Sequence, residues 1–366
     1  MANCANSARS DAMARRSAHR ASVLIIAGGR GTRFWPASRE ANPKPLFSID
    51  GKTSLLADTI ARHLPLIPRA RMFVLAAAAH EAPFRRALRT LIPAQNLIVE
   101  PLARGTAVAI AYGAAVIRRR LGDGVIASVA ADHHIVTGEQ YRRTLADAIG
   151  LAAAHDSIVA IGIPPTRPET GYGYQKIGAE VGAGFQIEKF VEKPPLATAR
   201  RMLKSGRYLW NASMFVASTQ TLASEFAEHS PLLGIAAEKL ARTPRTKLAR
   251  AYGRLRYDSF DRVIMEKSTK VLTVRARFSW HDVGSWDGLW DAVRDAGGNV
   301  IRGNAISLES ERVLAHSDSR LMVLFGVRDL IVVDTGDAIL IAHRDRSPHV
   351  GRVTKELDRR GLKRYL

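Results

Sequence analysis

Short apolar runs alternate along this chain with longer stretches whose apolar residues recur every three to four positions. Residues 22–27, SVLIIA, form a run rich in β-branched side chains that ends at Gly28 and Gly29. Comparable runs occupy 72–78, 97–99, 125–130 and 158–163. Between them, 53–64, 82–91, 105–120 and 140–154 carry helical spacing. The runs are apolar at consecutive rather than alternate positions, so both faces of each strand are buried. This predicts an α/β fold with a mainly parallel sheet covered by helices on both sides. Ligands in such sheets bind beyond the carboxyl ends of the strands, so the loops that follow strands are where chemistry is sought.

Past 217 the pattern is helical to about 267, and a strand-like segment, 270–280, then runs into a polar loop. From 297 the pattern changes to strand-like pieces broken by Gly, Asn, Asp and Ser: VIRGNAISLES, LMVLFG and LIVVDTGDAILIAH. These predict a small all-β unit over 298–345, and a stacked β-solenoid is one way to bury them. The expected division is a disordered basic leader at 1–21, an α/β domain at 22–296, and a β domain with a basic C-terminal tail at 297–366.

Composition narrows the classes. With 46% hydrophobic and 24% charged residues over 366 positions, global disorder is excluded. Asp334 and Asp337 interrupt even the strongest apolar segment, 330–342, so a soluble protein with no membrane association is expected. The single cysteine, Cys4, permits no internal disulfide and points to a reducing, cytoplasmic setting. Net charge is +20, with 42 Arg against 12 Lys. The surplus is enriched at the ends, four basic to one acidic over 1–22 and eight to three over 344–366, and is otherwise scattered. No basic run is interleaved with aromatics, so no nucleic-acid partner is expected. The leader lacks the apolar stretch of a secretory signal; its Ala, Ser and Arg bias loosely suggests a transit peptide, and Met13 offers an alternative start.

The most informative segment is Gly28-Gly29-Arg30-Gly31-Thr32-Arg33-Phe34-Trp35-Pro36, followed by Arg39 and by Pro43-Lys44-Pro45-Leu46. Three glycines directly after a buried strand let backbone N–H groups approach a phosphate closely. A dinucleotide fingerprint would need glycine at Phe34, and a Walker loop would need Gly-Lys-Ser/Thr, so neither applies. What remains is a glycine turn carrying Arg30, Arg33, Arg39 and Lys44, a cation set suited to a triphosphate. A tight strand-to-helix turn with solvated arginines is the competing reading, and Trp35 reads as packing.

GGRGTRFWPASREANPKPL resembles the signature loop of the sugar-1-phosphate nucleotidylyltransferases, and its FWP form is most similar to the mannose-1-phosphate guanylyltransferases. The resemblance continues in order through EPLARGTAVAIA from Glu100, ADHHI from Ala131, TGYGY from Thr170, FVEKP from Phe190, YLWNASMF from Tyr208 and FSWHDVGSWDGL from Phe278. It implies a Rossmann-like nucleotidyltransferase fold and transfer of GMP from GTP to α-D-mannose 1-phosphate, giving GDP-mannose and pyrophosphate. It assigns nucleotide contacts to Gly28, Gly29, Gly31, Thr32, Arg33, Glu100, Arg104 and Asp132. Sugar-phosphate contacts fall on Gly171, Tyr172, Glu192, Lys193 and Asn211, and Mg²⁺ ligation on Asp132 and Asp282. Two carboxylates suffice for Mg²⁺, which fills its octahedron with water and phosphate oxygens. Arg33, Lys44 and Lys193 would carry catalysis by neutralising charge during in-line attack on the α-phosphorus; a phosphate monoester needs no general base. His133 and His134 are adjacent on an extended segment and point to opposite faces, against a zinc reading.

Three positions depart from the family, which usually has Asn at Gly105, Pro at Val108 and Gly at Ser213. The first two are expected beside the base pocket and the third beside Asn211. They leave open another nucleotide or sugar (GDP-heptose, a UDP- or dTDP-sugar) and a non-catalytic regulatory paralogue. The β tail either packs on the catalytic domain or mediates self-association as a homodimer. Some relatives carry a further phosphomannose isomerase domain; the chain stops at Leu366, so no isomerase activity is expected.

Overall fold

A computed structural model describes residues 20–366 apart from Arg30, Asp50 and Thr137; the expectations for Cys4, Met13 and most of the leader therefore fall outside the described residues, as does Arg30. The early apolar runs become β1 (Ser22–Ile26), β2 (Met72–Ala77), β3 (Leu97–Glu100) and β4 (Val125–Ala130). They lie in the order β3-β2-β1-β4, all parallel. Alternate residues of β1 serve opposite faces. Val23 and Ile25 join a core with Ile60 of α1 (Leu55–His63) and Ile149 of α4 (Gly138–Ala154); Leu24 joins another with Ile110 of α3 (Thr106–Leu121). The short α2 (Glu81–Leu88) contributes Phe84 to the first core. Consecutive apolar positions were therefore needed, because a strand covered on both sides has no polar face.

The sheet continues as β4-β9-β6-β10-β8-β7, with β6 (Ile158–Ile163), β7 (Tyr174–Val181), β8 (Gly184–Val191), β9 (Tyr208–Ser218) and β10 (Val271–Arg275). β6 and β10 are parallel, while β9 runs antiparallel between β4 and β6 and also pairs with β7. The segment read from sequence as one strand over 270–280 is two. β10 ends at Arg275 because its partner β6 ends at Ile163, and beyond that there is no ladder to join. The chain then forms β11 (Trp280–Asp282), antiparallel to β5 (His133–Ile135), with Asp282 opposite His133. Asp282 is thus inside a strand rather than after one. The helical stretch past 217 comprises α6 (Thr219–His229), α7 (Pro231–Arg242) and α8 (Arg245–Tyr252), preceded by α5 (Leu196–Ser205) and followed by a π-turn, Asp261–Met265. Among the described residues no helix is long and apolar enough to cross a membrane.

After α9 (Trp286–Val293) come β12 (Val300–Leu308), β13 (Leu314–Phe325), β14 (Leu330–Asp334) and β15 (Ile339–His343). β12, β13 and β14 stack in parallel, as in a solenoid, and β15 closes the sheet antiparallel. The basic tail is not featureless: it forms the 3₁₀ segment Arg344–His349 and α10 (Gly351–Arg359).

One aromatic core joins this unit to the glycine loop. Trp286 is fully buried, its ring 4.7 Å from Phe34 and 5.7 Å from Phe47, and its indole N–H donates to the Trp35 carbonyl at 3.0 Å. Leu314, Ile331 and Leu340 of the β unit complete the cluster. The Trp35 indole donates to the Tyr365 carbonyl at 2.8 Å. Arg39 grips Asp337 through two bonds of 2.6 and 2.7 Å, so it fastens the β unit and leaves the set of cations expected at a triphosphate. The outward side of the unit leaves Ile306, Leu308, Leu321, Val323 and Phe325 exposed.

Trp286→Ala empties the centre of the shared core and deletes its hydrogen bond to Trp35. It is expected to lower unfolding free energy by about 3–5 kcal/mol, measured from urea unfolding curves of the two proteins.

Candidate active site

The loop after β1 curls against β3 and β4 because glycine stands where side chains would collide. A Cβ at Gly28 would strike the Glu100 carboxylate, and one at Gly31, whose φ is +59°, would strike Ser38 and Lys44. At Gly29 none of the described residues beyond its chain neighbours lies within 4 Å of that position, which leaves room for a ligand. Gly28, Gly29, Gly31, Thr32, Arg33, Lys44, Asp132 and Asp282 line one chamber of about 410 Å³. Arg33 is exposed at its mouth. Lys44 is buried, with its ammonium 5.0 Å from the centre of the Phe34 ring and 2.5 Å from Asp132 Oδ2.

Asp132 follows β4 and Asp282 ends β11, which brings the two carboxylates to one wall. Burial resists ionisation of Asp132, but the Lys44 ammonium outweighs it and holds the carboxyl below the usual range. Burial and the facing Asp132 push Asp282 the other way, upward. His133, at the start of β5, is buried against Trp280 at 5.3 Å, and its neighbour His134 lies near His281 at 6.4 Å, so the two imidazoles diverge.

A second chamber of about 630 Å³ shares Gly28, Gly29 and Asp282 with the first. Its other walls carry Glu100, Gly171, Tyr172, Glu192, Lys193 and Asn211. Glu100 is 3% exposed and accepts a hydrogen bond from the Tyr252 hydroxyl at 3.0 Å. Burial pushes its carboxyl up to about 7 despite that bond. Tyr172 packs edge-on against Trp210 at 5.5 Å and Trp280 at 5.2 Å, and Gly173 lacks a Cβ that would meet Glu192 and Phe190. Glu192 and Lys193 pair with each other at 2.7 Å just past the end of β8, and a φ of +45° at Lys193 turns the chain there.

Two expected residues behave differently. Arg104 lines neither chamber: its guanidinium donates to the Gly253 carbonyl at 3.0 Å, which draws it away from the cleft. Asn211 lines the cleft, but its amide is engaged. Its oxygen accepts from Gln175 at 3.1 Å and from the Ser213 N–H at 3.2 Å, and its NH₂ donates to Asp261 at 2.7 Å. Asp261, which sequence reasoning passed over, therefore presents a carboxylate in this chamber. Burial, reinforced by Glu192, pushes that carboxyl up to about 6. Its sequence signal was slight, an acidic residue beside Arg262 in the short stretch FDRVIM.

The model of the nucleotidyl transferase family matches residues 22–297, and that of a MannoseP isomerase/GMP-like β-helix domain matches 303–357. The xanthan biosynthesis protein XanB of Xanthomonas campestris is 36% identical over 346 residues, covering 92% of this chain and 73% of that protein. A mannose-1-phosphate guanylyltransferase of Escherichia coli K12 is 35% identical over 350 residues, covering 91% and 73%. The chain belongs to the nucleotidyl transferase family, in its mannose-1-phosphate guanylyltransferase branch. A solved Thermus thermophilus structure, described as a mannose-1-phosphate geranyltransferase, superposes with a TM-score of 0.83 at 35% identity, covering 93% of this chain and 99% of that one.

For this nucleotidyl transferase the three departures now have locations. Gly105 lines the cleft at φ +86°, and a Cβ there would run into the Asp258 carbonyl, so no side chain fits this backbone. Val108 is 1% exposed and packs in the core under α3, away from the cleft, contrary to its expected place beside the base. Ser213 lines the cleft at φ +50°, a left-handed conformation that favours glycine.

Glu100 protonates near 7 in the folded protein and near 4.5 in a free chain. The native state thus holds the extra proton between those values, and this residue's contribution to stability falls as pH rises across that window. The loss is about 3 kcal/mol above the window. Glu100→Gln removes it, so the variant should gain on the wild type by that amount between about pH 5 and about pH 8 in urea titrations.

Proposed function

We propose that this chain transfers GMP from GTP to α-D-mannose 1-phosphate, releasing pyrophosphate and forming GDP-mannose. The observation that carries the reading is the pair of chambers meeting at Asp282: one is lined by the glycine loop, Arg33 and Lys44, the other by Glu100, Glu192, Lys193 and Asp261. The first suits a triphosphate, because backbone N–H groups and cations converge on it. The second suits a base at its Glu100 end and a sugar phosphate at its Lys193 end. Ionised Glu100 can accept from the N1–H and N2–H₂ edge of guanine.

Asp132 and Asp282 fit a divalent cation, since the repulsion that raises Asp282 is relieved by a positive charge between two carboxylates. Bound there, Mg²⁺ would neutralise charge on the triphosphate. In the reaction, an oxygen of the sugar phosphate attacks the α-phosphorus of GTP, the new P–O bond forms opposite the bond to the β-phosphate, and that bond breaks to release pyrophosphate. Arg33 and Lys44 stabilise the departing end, Lys193 screens the incoming phosphate, and Glu192 and Asp261 accept from sugar hydroxyls. Asn211 holds Asp261 in place. The chain supplies alignment and charge neutralisation, with no base required.

Pyrophosphate release tests this. Release should require Mg²⁺, GTP and mannose 1-phosphate together; release with a different nucleoside triphosphate would move the base assignment. Arg33→Ala should lower kcat about a hundredfold with unfolding unchanged, and full activity in that variant would remove Arg33 from catalysis. Asp261→Ala should raise KM for mannose 1-phosphate about tenfold while KM for GTP stays within twofold.

A further inference from the structure

Behind the catalytic cleft, a separate cavity of about 490 Å³ opens between the edge strand β3 and helices α3, α7 and α8. None of its lining residues belongs to either catalytic chamber. Its floor is apolar: Leu97, Val116, Leu240 and Leu248 are all buried. Its rim carries four guanidiniums, on Arg85, Arg119, Arg120 and Arg245. Glu81 pairs with both Arg85 and Arg245, leaving the rim strongly cationic. Backbone carbonyls hold the other two in place. Arg119 donates to Ala241 at 2.9 Å and Arg120 donates to Gln95. Each guanidinium has five N–H donors in a fixed fork, so one anchoring bond leaves the rest of the fork available to an anion.

We propose that this cavity is a second ligand site, for a nucleoside diphosphate group, distinct from the catalytic one. The volume is that of a small-molecule site. An inorganic anion would use the rim and leave the floor wet, whereas a nucleotide places a flat base on the floor and its phosphates on the forks. Tyr112 forms part of the wall, and its ring meets Tyr252 edge-on at 5.6 Å; Tyr252 in turn donates to Glu100. Occupancy is therefore a ring contact and a hydrogen bond away from the carboxylate in the cleft.

Equilibrium dialysis with GDP tests the site without requiring turnover, so it stands apart from any failure of the proposed reaction. The wild type should bind two GDP per chain. Arg119→Glu with Arg245→Glu should retain one, with the second weakened at least tenfold and basal pyrophosphate release within twofold of wild type. Thr243→Trp, which plugs the cavity without altering charge, should also retain one, while Arg33→Ala should spare the second site. One GDP per chain in the wild type, or two that persist in both cavity variants, would overturn the proposal. Inorganic pyrophosphate competing as well as GDP at this site would remove the base from it. GDP-mannose binding there as tightly as GDP would assign the site to product; GDP binding alone would assign it to free nucleotide. Either supports a nucleoside diphosphate site.

Discussion

The bond from Lys44 to Asp132 sets the geometry on which the cleft depends. Lys44 stands on the loop after β1 and Asp132 after β4, so their 2.5 Å contact ties the carboxyl ends of two adjacent parallel strands across the mouth of the sheet. A buried ammonium without its carboxylate would cost several kcal/mol, which makes the loop's position costly to change. The same contact keeps Asp132 ionised and leaves Asp282 to absorb the repulsion. The charge pattern of the whole site follows: a cationic side formed by Arg33 and Lys44, and a carboxylate side whose excess negative charge calls for a counter-ion.

Glycine, rather than any cation, decides how closely this loop can lie to Glu100 and Lys44. Gly28 and Gly31 fill the space that their own side chains would have claimed. Further along the motif, Phe34 and Trp35 bury against Trp286 and the β unit, and the Phe34 ring also backs the Lys44 ammonium. A nine-residue motif therefore works in two directions, its first half toward the cleft and its second toward a domain boundary.

Much of this was legible in the chain. Unbroken apolar runs announced the parallel strands, because burial on both faces admits no alternation, and the glycines and Lys44 lay close enough in sequence to be read as one loop. What escaped depended on contacts between distant segments. β9 was not recognised as a strand because Asn211 and Ser213 interrupt its apolar run, yet Ser213 is exposed and the buried Asn211 amide is satisfied by Gln175 and Asp261, which no local pattern reveals. Asp261 is held by Asn211, fifty positions earlier. Arg104 looked like a pocket residue by its motif, but a carbonyl at Gly253 captures it from the other side. The basic tail read as charge surplus, and its helix Gly351–Arg359 packs where Gly351 approaches Thr32 of the glycine loop.

That last approach carries a consequence for anyone recombining relatives. Two family models meet near residue 300, which invites cutting there, but the molecule has no seam at that point. A graft that replaced the β unit would have to bring its own carboxylate for Arg39, its own acceptor for the Trp35 indole and a matching lid over Trp286. Without them the transplanted enzyme would keep its glycines, Arg33 and Lys44 in sequence while losing the scaffold that positions them. Within the signature loop itself, residues that line the chamber give way at Phe34 to residues buried against the β unit.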